Sequence, residues 1–190
     1  MNTQKILNKA VYAVILVALA APAALKAQAA KPARFGAGAS VINPMGEFGD
    51  VGAIGIGGSF FMEWELNDQM GIRGRAEYNI FGQKDWGTYG TMTTSGMIAM
   101  ADFVYRFDSH DTGWYVFGGA GFVNRSYALD YRGLKETTGK MGPGIAVGGG
   151  YNFTPNFGVD GCYNETLGDI SANYAYPSFT WLQVSARWRF

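Results

Sequence analysis

Residues 54–80 read IGIGGSFFMEWELNDQMGIRGRAEYNI, and this stretch decides the fold. Large apolar side chains stand at most even positions of its first half, whereas Ser59, Glu63 and Glu65 point to the other side of an extended chain. After a polar turn at residues 67–69 the alternation resumes. Two alternating segments on either side of a tight polar turn predict a β-hairpin.

Similar alternation recurs along the whole chain in segments of about ten residues. Eight such segments can be placed, at residues 34–42, 54–66, about 71–80, about 96–107, 113–125, 139–153, 157–165 and 178–190. Segments of this length, separated by turn residues, are typical of a transmembrane β-barrel. In the fifth segment the sequence does not decide which face points inward, because Tyr115 and Phe117 alternate with Trp114 and Val116. A bulge in this segment would also exchange the two faces.

The lengths of the connections support a barrel independently. Links after the second, fourth and sixth segments have about three to five residues, and the other links have roughly ten to fourteen. An up-and-down barrel with both termini at one end has this alternation, since outer-membrane barrels combine short periplasmic turns with longer extracellular loops. A soluble β-sandwich has no reason to show it. The predicted fold is therefore an all-β, eight-stranded, antiparallel up-and-down transmembrane barrel.

The composition excludes several other classes of protein. The 190 residues include 28 Gly, which disfavours a helix bundle because each interior helical Gly costs about 1 kcal/mol relative to Ala. One Cys and one His exclude a disulfide framework and a zinc site built from these residues. With 15 basic and 15 acidic residues there is no basic footprint for nucleic acid. We expect neither a cofactor nor a nucleic-acid partner.

The N-terminal residues have the pattern of a targeting sequence. Two lysines precede an apolar stretch at residues 10–25, and small residues follow. This predicts a secretory signal peptide at residues 1–29, cleaved after Ala29 or, as the second choice, after Ala27. Residues 30–190 then form one barrel domain. A membrane anchor is the less favoured alternative, because the apolar run is shorter than the ~20 residues that a spanning helix needs.

Aromatic residues cluster near the strand ends on the short-turn side. Rings at this level predict a girdle at the periplasmic membrane interface, where amphipathic rings favour the headgroups. Its members are Phe35, Trp64, Tyr105, Phe107, Trp114, Tyr151, Phe153, Phe157, Trp188 and Phe190. A second girdle at the other interface would comprise Tyr78, Phe81, Phe122, Tyr163 and Phe179. Rings of a soluble core would instead be scattered along the strand centres.

The last eight residues, 183–190, resemble the C-terminal insertion signal of bacterial outer-membrane barrels. Gln183, Trp188 and the terminal Phe190 match it, and Ser185 stands where Gly is usual. From about residue 34 the chain is similar in layout to the small eight-stranded outer-membrane family that includes the OmpA transmembrane domain, OmpX and OmpW. The resemblance implies an integral protein surrounded by outer-membrane lipid, inserted by the barrel assembly machinery, with both mature termini periplasmic and the long loops at the cell surface.

The polar face of the segments carries many charged residues. An eight-stranded barrel has a lumen just wide enough to be filled by side chains, and buried charges need partners. We therefore expect a salt-bridge network that plugs the lumen, with an ion-conducting path as the less favoured alternative. The network would comprise Arg34, Glu63, Glu65, Arg73, Arg75, Glu77, Asp102, Arg106, Asp160, Arg187 and Arg189.

The predicted extracellular loops, at residues 43–53, 83–94, 126–138 and 167–177, are the remaining candidate functional surface. Their aromatic residues offer contact area to an extracellular ligand or, equally, extend the outer girdle. They are Trp86, Tyr89, Tyr127, Tyr131, Tyr174 and Tyr176.

These features predict a protein that serves envelope structure or surface interaction, with a narrow-pore, porin-like channel as the alternative. We expect no enzyme, because small outer-membrane hydrolases use a His near the extracellular rim. The single His110 lies in a predicted periplasmic turn instead.

Overall fold

A computed structural model describes residues 33–85, 91–108, 111–131, 134–167 and 179–190. Eight long strands dominate: β1 (Arg34–Met45), β2 (Ala53–Glu65), β3 (Met70–Gly82), β4 (Thr91–Arg106), β5 (Gly113–Tyr131), β6 (Leu134–Asn152), β7 (Phe157–Thr166) and β8 (Thr180–Arg189). A short helix, α1 (Gly46–Val51), connects β1 to β2, and the two-residue strand Lys84–Asp85 pairs with the start of β4. Within the described ranges, no helix has the length and apolar character needed to cross a membrane.

The strands close into a ring. Each strand pairs antiparallel with its neighbours in the chain, and β1 also pairs with β8, from Gly36 opposite Arg189 to Met45 opposite Thr180. The antiparallel pairing of β3 with β4 joins the β2–β3 hairpin to the β4–β5 hairpin, so that no strand of the ring has an open edge. The eight-stranded antiparallel up-and-down barrel predicted from the sequence is thus confirmed.

Burial alternates along the strands: the inner face carries the buried charged residues together with some apolar side chains, and the outer face is mostly apolar. In β2, Glu63 is 1% exposed, whereas Ile56 is 67% exposed. A soluble protein shows the opposite distribution, with apolar side chains buried and charged ones exposed. The distribution found here fits a wall that faces lipid. The outward positions of β2 extend over about ten residues, from Ile54 to Trp64. With a rise of roughly 3.3 Å per residue and a strand tilt of about 40°, they span about 25 Å along the barrel axis. This is the height of the apolar band of an outer-membrane barrel.

The hairpin of β5 and β6 is longer than the sequence predicts. Its ladder continues without a shift from Gly113 opposite Asn152 to Tyr131 opposite Leu134, and only residues 132–133 lie between the strands. The prediction of an extracellular loop at residues 126–138 is therefore wrong. The polar segment joins an existing ladder, and beyond the lipid there is no apolar–polar contrast by which alternation reveals a strand.

Two other predicted loops also contain regular structure. β1 runs to Met45 and is followed by α1, so that residues 43–53 are not a free loop. β4 begins at Thr91 rather than near residue 96. The predicted strands therefore end too early at this side of the barrel, again because alternation fades there.

The inward face of β5 is now assigned. Tyr115 and Phe117 are buried in the lumen, while Trp114 and Val116 are exposed on the outer surface. The ladders with β4 and β6 show no bulge in β5, so one phase holds along the whole strand. Large rings inside the lumen were the reason for the ambiguity in the sequence.

All ten rings of the proposed periplasmic girdle lie on the outer wall near the short connections. Five of them form a continuous chain across β5–β8, with centroids between 5.1 and 5.9 Å apart: Trp114, Tyr151, Phe153, Phe157 and Trp188. The second predicted girdle is wrong in two of its members. Phe81 and Phe179 are buried at 1% and 0% exposure, because each has the same phase as the charged residues of its strand.

A matched pair of glycine variants tests this register. A Cβ at Gly121 of β5 would collide with the backbone of Ala99 and Met100, whereas a Cβ at Gly161 of β7 meets nothing within 4 Å. Gly121→Ala should therefore destabilise the barrel by roughly 1–3 kcal/mol, and Gly161→Ala should be nearly neutral. Urea unfolding and the heat-dependent gel shift in detergent measure both variants. Equal destabilisation by the two would contradict the register.

Candidate functional site

The two ends of the barrel differ. We call the end with Arg34, Arg189 and the connections 66–69, 107–112 and 153–156 the turn end, and the opposite end the loop end. Inward side chains of all eight strands meet between these ends and fill the lumen. They form two layers of charged groups and, at the loop end, a group of aromatic rings.

The turn-end layer contains three arginines and three carboxylates: Arg34, Arg106, Arg189, Glu63, Glu65 and Asp111. Arg34 Nη1 is 2.6 Å from Asp111 Oδ1, and its Nη2 is 3.3 Å from Glu65 Oε1. Glu63 pairs with Arg106 through Oε1, and its Oε2 lies 3.7 Å from Arg189 Nη2. Glu63 and Arg106 are buried, whereas Arg34 and Asp111 are about one-third exposed.

Asp111 belongs to the connection between β4 and β5, outside the strands. The hydrogen bond that it accepts from Arg34 holds the pKa of its carboxyl below the ordinary value, and partial burial opposes this effect. Asp111 is thus charged throughout the neutral range and ties the β4–β5 connection to the start of β1. Alternation in the sequence does not indicate Asp111, because this residue lies in a turn and not on an alternating segment.

The middle layer also contains three arginines and three carboxylates: Arg73, Arg75, Arg187, Glu77, Asp102 and Asp160. Arg75 Nε lies 2.8 Å from Asp102 Oδ2, and Arg75 Nη1 lies 2.5 Å from Glu77 Oε1. Arg187 Nε is 2.7 Å from Asp160 Oδ2. Arg73 bridges the layer, since its Nε and Nη1 lie 3.7 Å from Asp102 Oδ2 and Asp160 Oδ2 respectively.

Aromatic rings separate and orient the guanidinium groups of the middle layer. Tyr115 OH donates a hydrogen bond to Asp160 Oδ2 over 3.2 Å and accepts one from Arg187. The guanidinium of Arg73 lies 4.6 Å from the ring centroid of Phe117, and that of Arg187 lies 5.4 Å from the centroid of Phe61. Such cation–π contacts attract a guanidinium group to the face of a ring.

The packing leaves little free space in the middle layer. A cavity of about 20 Å³ lies among the arginines Arg73, Arg75 and Arg187 and the polar side chains of Ser185 and Gln183. A volume of this size holds about one water molecule. The cavity is thus far too small to be a continuous aqueous path.

The two layers are each balanced in formal charge, with three positive and three negative groups apiece. A buried charge is tolerated when an opposite charge and hydrogen bonds compensate for its desolvation. Balance within each layer means that no layer depends on a mobile counterion for neutrality. The residues come from distant segments of the chain, and the closed ladder alone brings them to the same height.

Aromatic rings fill the loop end of the lumen. Phe48, carried by α1, lies with its centroid 3.9 Å from that of Phe179 and 4.8 Å from that of Phe81. Trp181 makes an edge-to-face contact with Phe179, with centroids 5.0 Å apart. Aliphatic side chains, Ile42 among them, complete this cluster, and its central members are fully buried. We call Phe48, Phe81, Phe179 and Trp181 the aromatic seal.

The eleven charged residues proposed for the lumen all lie in the two layers or at their edge. The structure adds Asp111 to them and also buries Arg125, which lies 5.9 Å from the centroid of Phe179. Arg125 was not predicted to face the lumen, because the sequence left undecided which face of the fifth segment points inward. The aromatic seal was missed altogether, since nothing in the alternation shows that α1 folds inward.

The six aromatic residues predicted as loop contacts are only partly covered by the structure. Tyr127 lies in β5 with its side chain only 8% exposed, so its prediction as a loop contact is wrong. Tyr131 ends the same strand. Trp86, Tyr89, Tyr174 and Tyr176 lie outside the described residues, as does His110.

The residues of the proposed insertion signal alternate across the wall. Gln183 and Ser185 face the lumen and hydrogen-bond to one another, whereas Trp188 and Phe190 face outward. The amide of Phe190 donates to the carbonyl of Phe35 over 2.9 Å, so that the last residue still takes part in the closure of the ring.

Comparison with protein families agrees with this geometry. The family model described as "outer membrane protein beta-barrel domain" matches residues 13–190. The chain belongs to this family. It is therefore an integral outer-membrane β-barrel protein of bacteria, as the sequence analysis predicts. Comparison with curated proteins finds no significant match.

Several solved barrels share the fold of this outer-membrane barrel. Ail, the attachment invasion locus protein of Yersinia pestis, superposes with a TM-score of 0.60 at 15% identity, over 83% of this chain and 97% of Ail. The N-terminal domain of Pseudomonas aeruginosa OprF gives 0.56 at 14% identity, over 85% of this chain and 99% of that domain. Neisserial surface protein A gives 0.55 at 19% identity, over 86% of this chain and 100% of that one.

A double-mutant cycle tests the division into two layers. Glu63→Leu should cost roughly 3–5 kcal/mol of unfolding free energy, because it leaves the buried Arg106 without its carboxylate. Adding Arg106→Met should cost less than the sum of the single changes, by about 1–3 kcal/mol. Urea unfolding of the refolded barrel, followed by tryptophan fluorescence, measures these values.

The matched control combines Glu63→Leu with Arg75→Met. Arg75 belongs to the middle layer and forms its ion pairs there, so these two effects should be nearly additive. Coupling of the same size in both pairs would contradict the two-layer description.

Proposed function

We propose that this outer-membrane barrel does not conduct solutes and serves envelope structure or surface interaction through its loop end. The observation that carries the proposal is the pair of charge-balanced, ion-paired layers that crosses the lumen. Eight strands leave a lumen that side chains are able to fill, and here arginines and carboxylates fill it at two heights.

The alternative of a narrow-pore channel receives less support. A permeating ion would have to separate buried ion pairs, and breaking such a pair by removing one partner costs about 3–5 kcal/mol. The cavity of the middle layer holds about one water molecule. The aromatic seal adds an apolar barrier at the loop end.

The geometry also favours a protein without enzymatic activity. The carboxylates of the middle layer are engaged by arginines, so they are poor general bases. In the described ranges, no group of three or more His, Cys, Asp or Glu residues is arranged to hold a metal ion. The thiol of Cys162 is buried in the lumen, where burial keeps substrates away from it.

The loop end offers a surface that projects from the membrane. β5 continues beyond Asn124, at the edge of the apolar band, for about seven residues, or roughly 20 Å along the strand. Ail, which has the same fold, has been crystallised in complex with the heparin analogue sucrose octasulfate. That complex supports the proposal that this chain too contacts an extracellular ligand, with the β5–β6 hairpin as part of the contact surface.

The proposal includes the surroundings and orientation of the barrel. Outer-membrane lipid would surround the apolar wall, with the aromatic girdle at the periplasmic interface. Both mature termini would lie in the periplasm, because the described ends of the chain meet at the turn end. The residues Gln183, Ser185, Trp188 and Phe190 would present the insertion signal to the barrel assembly machinery.

Planar-bilayer recording of the refolded protein tests the closed lumen. The unmodified chain should show no stable unitary conductance, because every path crosses both ion-paired layers. The double variant Asp160→Ala with Arg187→Ala widens the middle layer without changing its net charge and should conduct more. Phe103→Ala, which shortens an outward ring, is the matched control. Stable unitary conductance of the unmodified protein would overturn the proposal.

Surface labelling of intact cells tests insertion and orientation. An epitope inserted between residues 132 and 133 should react with antibody on intact cells, because the loop end would face outward. Phe190→Ala should lower this labelling severalfold through poor recognition by the assembly machinery, while refolding in detergent stays unchanged. Ile56→Ala, another outward apolar change, controls for loss of lipid contact. An epitope that reacts only after cell lysis refutes the orientation.

A further inference from the structure

The aromatic seal differs from the charged layers because one of its rings projects from a helix and not from the barrel wall. Charged side chains of both layers project from barrel strands, apart from that of Asp111. In the seal, Phe81 and Trp181 also lie on strands, and Phe179 directly precedes β8. Phe48 alone among these four rings is carried by the short helix α1, outside the ladder of the wall.

Hydrogen bonds to backbone carbonyls and one buried ring hold α1 against the barrel. Met45 at its N-cap makes no side-chain hydrogen bond to the helix, and the helix is one and a half turns long. Its C-terminal end is closed by the amide of Gly52, which donates to the carbonyl of Phe48 over 2.8 Å. Lys84 Nζ donates to the carbonyl of Gly49, also over 2.8 Å. The ring of Phe48 is fully buried in the lumen and holds the inner side of the helix.

The backbone at the start of α1 permits a change of direction. Gly46 has a φ of 57°, in the left-handed region, where most residues are disfavoured, and a Cβ there would meet nothing within 4 Å. Gly46, Glu47 and Asp50 are exposed. The helix therefore has solvent on one side, a Gly at its entry and a single large ring pointing inward.

We propose that α1 is a hinged lid that opens the loop-end half of the lumen by withdrawing Phe48, while the eight-stranded wall stays folded. A short helix has little stability of its own, and segments held by few buried contacts open locally at lower free energy than the fold as a whole. The wall is different, since every strand is hydrogen-bonded on both sides. The lid does not depend on whether the middle layer conducts ions.

A native thiol lies along the path that the lid would uncover. Beneath Phe48 the inward face of β8 continues through Phe179 and Trp181, whose Nε1 donates to Gln183 Oε1 over 3.3 Å. Gln183 is the register partner of Cys162, and both side chains line the cavity of the middle layer. Cys162 is the only cysteine of the chain, so its modification reports access to this depth.

Thiol modification of the refolded protein in detergent micelles tests the lid. Methyl methanethiosulfonate, which is small and uncharged, should modify Cys162 slowly in the unmodified protein and at least fivefold faster in Phe48→Ala. Lys84→Met, which loses the hydrogen bond to Gly49 and keeps the aliphatic stem, should give an intermediate rate. Phe103→Ala removes an equal ring from the outer wall and should change nothing.

Global unfolding is separated from lid opening by a second measurement on the same samples. The rate of unfolding, followed by the gel shift, should rise less than the rate of thiol modification in Phe48→Ala. If the two rates rise by the same factor, the variant acts on the whole barrel and the lid is refuted. An unchanged modification rate refutes it as well.

Hydrogen exchange tests the lid in the unmodified protein. The amide of Gly52, which closes α1, should exchange at least a hundredfold faster than the amide of Val123, which lies in β5 between two paired strands. Equal protection of the two amides would show that α1 opens only when the barrel unfolds, and would overturn the proposal.

Discussion

The closure of eight strands into one ring is the constraint on which the rest of the structure depends. Pairing of β1 with β8 leaves a narrow lumen, and every second side chain of every strand points into it. Outside, the wall must be apolar because it meets lipid. Inside, the side chains fill the narrow space, and charged groups form ion pairs with one another.

Charge balance within each height of the lumen follows from this constraint. Opposite charges stabilise the buried charges of each layer, and closure of the ring brings together partners that lie far apart in the chain, such as Arg187 and Asp160 on neighbouring strands. Arg106 and Glu63 lie on two strands that are separated only by β3. Two balanced layers result. They fill the lumen at two heights with paired charges.

The high glycine content has a role inside this narrow space. A Cβ at Gly148 would collide with the ring of Phe117, and one at Gly150 would collide with that of Tyr115. Small residues on β6 thus leave room for large rings on β5, and those rings in turn orient Arg73 and Arg187. The same rings obscured the phase of the fifth segment, because an inward aromatic residue breaks the simple rule of polar inside and apolar outside.

The sequence by itself determined the number of strands, the faces of seven of them and the charged residues of the lumen, because lipid and lumen impose opposite polarities on alternate positions. It also indicated the aromatic girdle at the turn end. Only the tertiary structure decided the partners of each charge, the long β5–β6 hairpin and the inward fold of α1 with Phe48. Pairing depends on register around a closed ring, and beyond the lipid no contrast of polarity marks a strand. A six-residue helix that buries one ring leaves no periodic signal in the sequence at all.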